Sequence, residues 1–226
     1  MERPTSRACG LFIFDLDGTL IDSRSDIAFS LNLVLARMNM PGLSESRVGD
    51  FVGSGVQKLV ERALQEITGH QPAAELVQTS ITLFREEYGK HLLDKTRLCY
   101  GVSAALDRLP WAAFAVVTNK PESFSRRILE GLGVGNRFCT ILGGDSIRNR
   151  KPHPEALLKA MEVCKAYPSE TVMVGDSAVD IQAGKAAGVT TCGVLGGFRP
   201  REELEAAGCD VIIENMLELP DYFHSP

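Results

Sequence analysis

The 226-residue chain predicts an α/β fold, a doubly wound parallel sheet with a small helical cap inserted after its first strand. Three observations predict it. Short apolar β-type runs alternate with helical patterns from Gly101 onward. Residues 23–97 break that rhythm with helical stretches and no convincing strand. Polar groups follow several of the apolar runs directly, placing them at the sheet edge where open α/β sheets bind ligands.

The first strand is Leu11–Phe14, which runs straight into Asp15-Leu16-Asp17-Gly18-Thr19. On an extended chain Asp15 and Asp17 point to opposite faces, but a turn at Gly18 can curl Asp17 back over the same site. Three helices are then expected, at Ile27–Met38, Val56–Ile67 and Leu76–Tyr88. In the second, Val56, Leu59, Val60, Ala63, Leu64 and Ile67 recur at helical spacing, with Gly69 as the stop. Gly53-Ser54-Gly55 precedes it, so this loop can present backbone N–H groups and a helix N-terminus to an anion.

Further strands are expected at Phe114–Thr118, Phe138–Leu142, Val172–Gly175, Thr191–Leu195 and Val211–Ile213, with helices at Pro121–Leu132, Pro154–Ala166, Ala178–Ala187 and Arg201–Ala207. Pro121 and Pro154 suit a first helical turn, and Gly188 and Gly208 suit helix stops. Alternating units of this kind imply a parallel sheet covered on both faces. The chain therefore divides into a catalytic core of residues 1–22 and 98–226 and a helical cap of residues 23–97.

Composition narrows the function. The chain is 44% hydrophobic and 23% charged, with a formal net charge of −5 and no basic run. Neither a nucleic-acid partner nor a membrane partner is expected, since no apolar stretch approaches the roughly 18 residues of a span. The first ten residues hold no apolar signal core. The six cysteines lie far apart with no C-x-x-C and read as reduced thiols, so a cytoplasmic protein is expected. Trp111 reads as packing, His153 as a loop residue and Asp22 as the cap of the first inserted helix.

The chemistry sits in four places. Asp15 and Asp17 follow the first strand, and Thr118 and Asn119, suited to phosphate oxygens, follow the second. Lys151 stands in Arg150-Lys151-Pro152-His153-Pro154, and Gly175-Asp176-Ser177-Ala178-Val179-Asp180 ends another strand with two acids four apart. This order is similar to the four-motif signature of the haloacid dehalogenase superfamily, over nearly the whole chain. Within it the chain most resembles the phosphoglycolate phosphatase branch, on Asp22-Ser23, Val52-Gly53-Ser54-Gly55, Val117-Thr118-Asn119-Lys120-Pro121 and Gly143-Gly144-Asp145-Ser146.

The resemblance implies a Rossmann-like core and a Mg²⁺-dependent phosphatase acting on a small phosphorylated metabolite such as phosphoglycolate. It makes Asp15 the nucleophile and Asp17 the acid and base, with Thr118 and Lys151 stabilising the phosphoryl group. Mg²⁺ is expected on Asp15, the Asp17 carbonyl and Asp176, with Asp180 supporting. Thr118, Asn119, Lys151, Gly53, Ser54 and Gly55 are the expected substrate contacts, and Arg24 and Lys58 are candidate cations for a substrate carboxylate. A phosphomutase would use the same residues. A metal-free dehalogenase needs neither Asp17 nor Asp176, and a phospho-acceptor signalling domain would be shorter and lack the cap. A monomer or a homodimer fits equally.

Overall fold

Leu11–Phe14 (β1) is four apolar residues in a row, all fully buried, because a strand covered by helices on both faces has no solvent side. The computed structural model describes residues 7–226; residues 1–6, most of the start expected to lack a signal core, lie outside the described residues. Ala113–Val117 (β2), Thr140–Leu142 (β3), Thr171–Gly175 (β4), Thr190–Val194 (β5) and Val211–Ile213 (β6) complete a six-stranded sheet in the order β3-β2-β1-β4-β5-β6. Every neighbouring pair in it is parallel, as the alternation predicts. The order reverses between β1 and β4, and a crevice outside the carboxyl ends of the strands at that reversal is where such sheets bind ligands.

Alternation along β1 sends Phe12 and Phe14 to one face and Leu11 and Ile13 to the other. The phenylalanines join the apolar cluster that holds Ile128 and Leu129, and the aliphatic pair joins the one that holds Leu157, Met161 and Ala183. Burying each such side chain contributes about 1.5–3 kcal/mol. This anchors the strand that ends at Asp15 from above and below.

Between Ile21–Asp22 and Arg97–Leu98, which pair antiparallel, the chain adds α1 (Arg24–Arg37), α2 (Glu45–Gly49), α3 (Val56–Thr68) and α4 (Ala74–Tyr88), with no strand for the sheet. The sequence predicts three of these. Helix α2 is five residues long, too short for a periodic pattern, and only Ser44, whose side chain accepts from the Arg47 N–H at 3.2 Å, marks its start. Buried Asp26 closes the base of the insert by accepting from the Lys95 and Thr96 N–H groups and the Thr96 hydroxyl, at 2.7–3.0 Å. The core adds α5 (Val102–Asp107), α6 (Glu122–Gly131), α7 (Glu155–Cys164), α8 (Ala178–Ala186) and α9 (Arg201–Ala206). Helix α5 is unpredicted, and β3 starts at Thr140 because Gly135–Arg137 forms a 3₁₀ turn ahead of it. Gly69, Gly188 and Gly208 stop their helices with positive φ as expected.

Three expectations are corrected. Cys139 and Cys164 form a disulfide with Cα atoms 6.5 Å apart, since the start of β3 lies beside the end of α7; residues 25 apart meet only through that packing. Cys9, Cys99, Cys192 and Cys209 are free, and cysteine usage no longer argues for a reducing compartment. Trp111 is 41% exposed rather than packed. Asp22 receives only a 3.4 Å contact from the Arg24 N–H and instead pairs with the Arg24 and Arg97 guanidinium groups at 3.0 and 3.1 Å. No helix of the described residues is long and apolar enough to cross a membrane.

Candidate active site

Each polar residue placed by sequence at a strand end stands at the carboxyl edge of the sheet. Asp15 follows β1, Thr118 follows β2, and Asp176 follows β4. Lys151 reaches in from the loop before α7 and places its Nζ 2.8 Å from Asp15 Oδ1 and 2.6 Å from Asp180 Oδ1. Asp180 sits in the first turn of α8 as the return half of a capping box, its Oδ2 accepting from the Ser177 hydroxyl at 2.6 Å and the Ser177 N–H at 3.2 Å. With both oxygens engaged, Asp180 orients Lys151.

Asp15, Asp176 and Asp180 are buried and bring carboxylate oxygens within 4.8 Å of one another. Burial, then Asp180, push the Asp15 carboxyl up to about 7 despite Lys151. Burial, then Asp180 and Asp15, push Asp176 well above the ordinary carboxylate range. Burial alone would lower the Lys151 ammonium, but Asp15 and Asp180 outweigh it and raise it, so it stays charged. Three carboxylates facing one ammonium leave an excess of negative charge in an all-oxygen donor set, which suits a hard divalent cation. The Phe198 N–H holds Asp176 Oδ2 at 2.6 Å and leaves the other oxygen for such an ion.

Close approach of loops requires glycine here. Gly18 has φ +86°, and a Cβ on it would overlap the Asp176 carboxylate. Gly197, after β5, also lies against Asp176 and the Gly18 carbonyl, where a Cβ would overlap both, and the sequence reading missed it.

A pocket opens over Asp15, with Asp17, Thr118 and Lys120 on the core side and Val52, Gly53, Gly55 and Phe84 among the residues from the insert. Thr118 Oγ1 accepts from the Lys120 N–H at 3.2 Å, leaving its hydroxyl proton free to donate. The geometry departs from the expected contacts in three places. Asn119 commits both amide donors to the carbonyls of Gly53 (3.1 Å) and Lys151 (3.2 Å), so it ties loops together instead of donating to phosphate. Ser54 lines a neighbouring hollow with Arg62 and Arg199. Arg24 is held by Asp22 and stacked over Phe198, and Lys58 is exposed and paired with Glu61, so neither lines the pocket.

Asp17 is not part of the acid cluster. Its Oδ1 accepts from Ser23 Oγ at 2.5 Å and from Lys120 Nζ at 2.7 Å, and its Oδ2 from the same ammonium at 2.9 Å. Lys120 and Ser23 both donate to Asp17, and neither is among the site residues expected from the sequence. A lysine between a buried strand and a helix start, where burying an unpaired charge is costly, was the available signal. Arg199 was missed too. It lies past the end of β5, on the same sheet edge, and donates to the Asp50 and Val52 carbonyls at 3.0 and 2.6 Å.

The family model for haloacid dehalogenase-like hydrolases matches residues 12–194. Phosphoglycolate phosphatase of Pectobacterium atrosepticum is 37% identical over 215 residues, covering 94% of this chain and 92% of the relative. Phosphoglycolate phosphatase of Vibrio parahaemolyticus is 37% identical over 219 residues, covering 95% and 96%. Among solved structures, a predicted phosphoglycolate phosphatase from Haemophilus somnus superposes with a TM-score of 0.85 at 31% identity, covering 93% of this chain and 96% of that one.

Proposed function

Because the chain belongs to the haloacid dehalogenase-like hydrolases and is a phosphatase, we propose that it hydrolyses phosphoglycolate or a similarly small phosphate ester through an aspartyl-phosphate on Asp15, with Mg²⁺ as cofactor. The observation that carries this reading is the Asp15 carboxylate in the pocket, 2.8 Å from Lys151 and beside Asp176. Asp15, the Asp17 carbonyl and Asp176 would hold the ion, and its charge would offset the repulsion between a carboxylate and a phosphate dianion.

In the first half-reaction an Asp15 oxygen bonds to phosphorus, the ester P–O bond breaks, and Asp17 gives its proton to the departing alkoxide. In the second, a water oxygen bonds to phosphorus, its proton passes to Asp17, and the Asp15 acyl-phosphate bond breaks to release inorganic phosphate. Lys151 and the Thr118 hydroxyl stabilise the charge on the transferring group. The helical segment 23–97 acts as a cap that keeps bulk water out during transfer.

The raised carboxyls make a test independent of turnover. Asp15 at about 7 lies above the roughly 3.9 of an unfolded aspartate, so its stability contribution is full below about pH 4 and lost as pH rises through about 7. Asp176 shifts in the same direction. Without metal the site is therefore least favourable at alkaline pH, and Mg²⁺ is expected to raise Tm more at pH 8 than at pH 5. Equal rises at both would mean that the ion binds elsewhere.

Specificity for a carboxylate falls to the loop before α3, because the described pocket residues from the insert carry no basic side chain. Gly53 and Gly55 line the pocket with φ of +109° and +86°. We expect phosphoglycolate to exceed a neutral ester of similar size by about tenfold or more in kcat/KM, the scale of one hydrogen bond to a charged group. Gly55→Val is expected to damage phosphoglycolate turnover more than 4-nitrophenyl phosphate turnover. Its Cβ would stand 3.1 Å from Arg150 and 3.3 Å from the Asn119 carbonyl at a φ that valine resists. If the wild-type enzyme handles charged and neutral esters alike, the carboxylate reading is wrong and the phosphatase reading stands.

A further inference from the structure

Lys120 is buried to 7% exposure, yet it lies outside the acid cluster that surrounds Lys151. An ammonium has three N–H donors, and three acceptors surround this one. They are Asp17 Oδ1 at 2.7 Å, Asp17 Oδ2 at 2.9 Å and the Tyr88 hydroxyl oxygen at 2.9 Å. All of its donors are thereby committed to protein, which leaves none to recognise a substrate carboxylate. The Lys120 Nζ also stands 4.8 Å from the Tyr88 ring centroid.

The three partners come from different parts of the chain. Asp17 belongs to the loop after β1, and Lys120 to the loop after β2. Tyr88 is the last residue of α4, its ring stacked on Phe84 at 5.4 Å and edge-on to Phe124 at 5.7 Å. Ser23, which adds the 2.5 Å bond to Asp17 Oδ1, immediately precedes α1 at the base of the insert. Two of the four groups therefore come from the helical segment or its root, and two from the core.

We infer that Lys120 is a positioning residue that fixes the Asp17 carboxylate for its proton transfers and ties that setting to Tyr88, so that the acid–base group is aimed only while the helical segment lies against the core. The inference rests on the acid–base role proposed for Asp17 and goes beyond it by naming what orients that group. When α4 moves away, Lys120 loses one acceptor and the hold on Asp17 relaxes; when α4 returns, proton transfer and closure are restored together.

The test is a double-mutant cycle with 4-nitrophenyl phosphate, whose good leaving group keeps an Asp17→Asn enzyme measurable. Lys120→Met is expected to lower kcat about 10- to 100-fold with KM within about threefold, a large part of what acid–base help supplies. In the Asp17→Asn background the same substitution should cost less than about threefold, because the group it positions no longer transfers protons. Tyr88→Phe keeps the ring packing and removes only the oxygen. It should lower kcat several-fold in wild type and leave the Asp17→Asn enzyme unchanged, and it carries the test alone if Lys120→Met does not fold. Equal losses in both backgrounds would overturn the inference in favour of a structural role. A raised KM for phosphoglycolate with kcat unchanged would overturn it in favour of a substrate-binding cation. A wild-type enzyme inactive on every phosphomonoester would instead overturn the reading on which it rests.

Discussion

Asp15→Asn is expected to reduce kcat by at least about 10⁴-fold, because asparagine keeps the volume of the side chain but has no anionic oxygen to attack phosphorus. The structure adds a second readout that separates lost chemistry from lost folding. Asp15 is buried against Asp180, and burial with that repulsion pushes its carboxyl up to about 7. Removing a charge held under those conditions relieves Asp176 and Asp180, while the amide oxygen can still accept from Lys151. The variant is therefore expected to melt no lower than wild type at pH 8 without metal. Inactivity with an undiminished Tm supports the covalent mechanism, and substantial residual turnover in pure variant protein rules it out. A beryllium fluoride adduct on Asp15, formed with Mg²⁺ and absent from the variant, gives the matching positive result.

Chelation is expected to eliminate activity and added Mg²⁺ to restore it. Asp176→Ala should raise the Mg²⁺ concentration needed for half-maximal activity by at least about 100-fold, more than loss of a merely supporting partner typically costs. The same substitution should remove most of the pH-8 rise in Tm produced by Mg²⁺, a comparison that needs no substrate. Full turnover in excess EDTA would mean that Lys151 alone balances the phosphate charge, and the metal assignment would fall.

Most of the site was legible because its residues obey a local rule. A buried strand must end somewhere, and polar side chains placed directly after it are delivered to one edge of a parallel sheet. Asp15, Thr118 and Asp176 followed from that rule, and the strand limits differed from expectation mainly by the residue or two that frayed ends absorb. What was illegible depends on contacts across long separations. The Asp17–Lys120–Tyr88 chain spans residues whose proximity exists only once α4 lies on the core. The Cys139–Cys164 disulfide likewise needs the packing of α7 against β3. Asn119 was misread for the opposite reason. Its position at the sheet edge is as expected, but its amide faces the Gly53 and Lys151 carbonyls, and which way a side chain turns is not written in its spacing. Helix α2 escaped because five residues are too few to display a period.

The loop from Asp50 to Gly55 meets the core in a way that bears on how such an enzyme can diversify. Its carbonyls at Asp50, Val52 and Gly53 are gripped by Arg199 and Asn119, side chains of the core reaching for main-chain oxygens. A carbonyl is the same at every residue, so the grip itself reads no side chain, although Gly53 is kept a glycine by its φ of +109° and Val52 is held by its burial. Val52 is fixed twice over, by its side chain in the apolar core and by its carbonyl on Arg199. Of the three gripped positions only Asp50 is exposed, so its side chain can change while Arg199 keeps hold of its carbonyl.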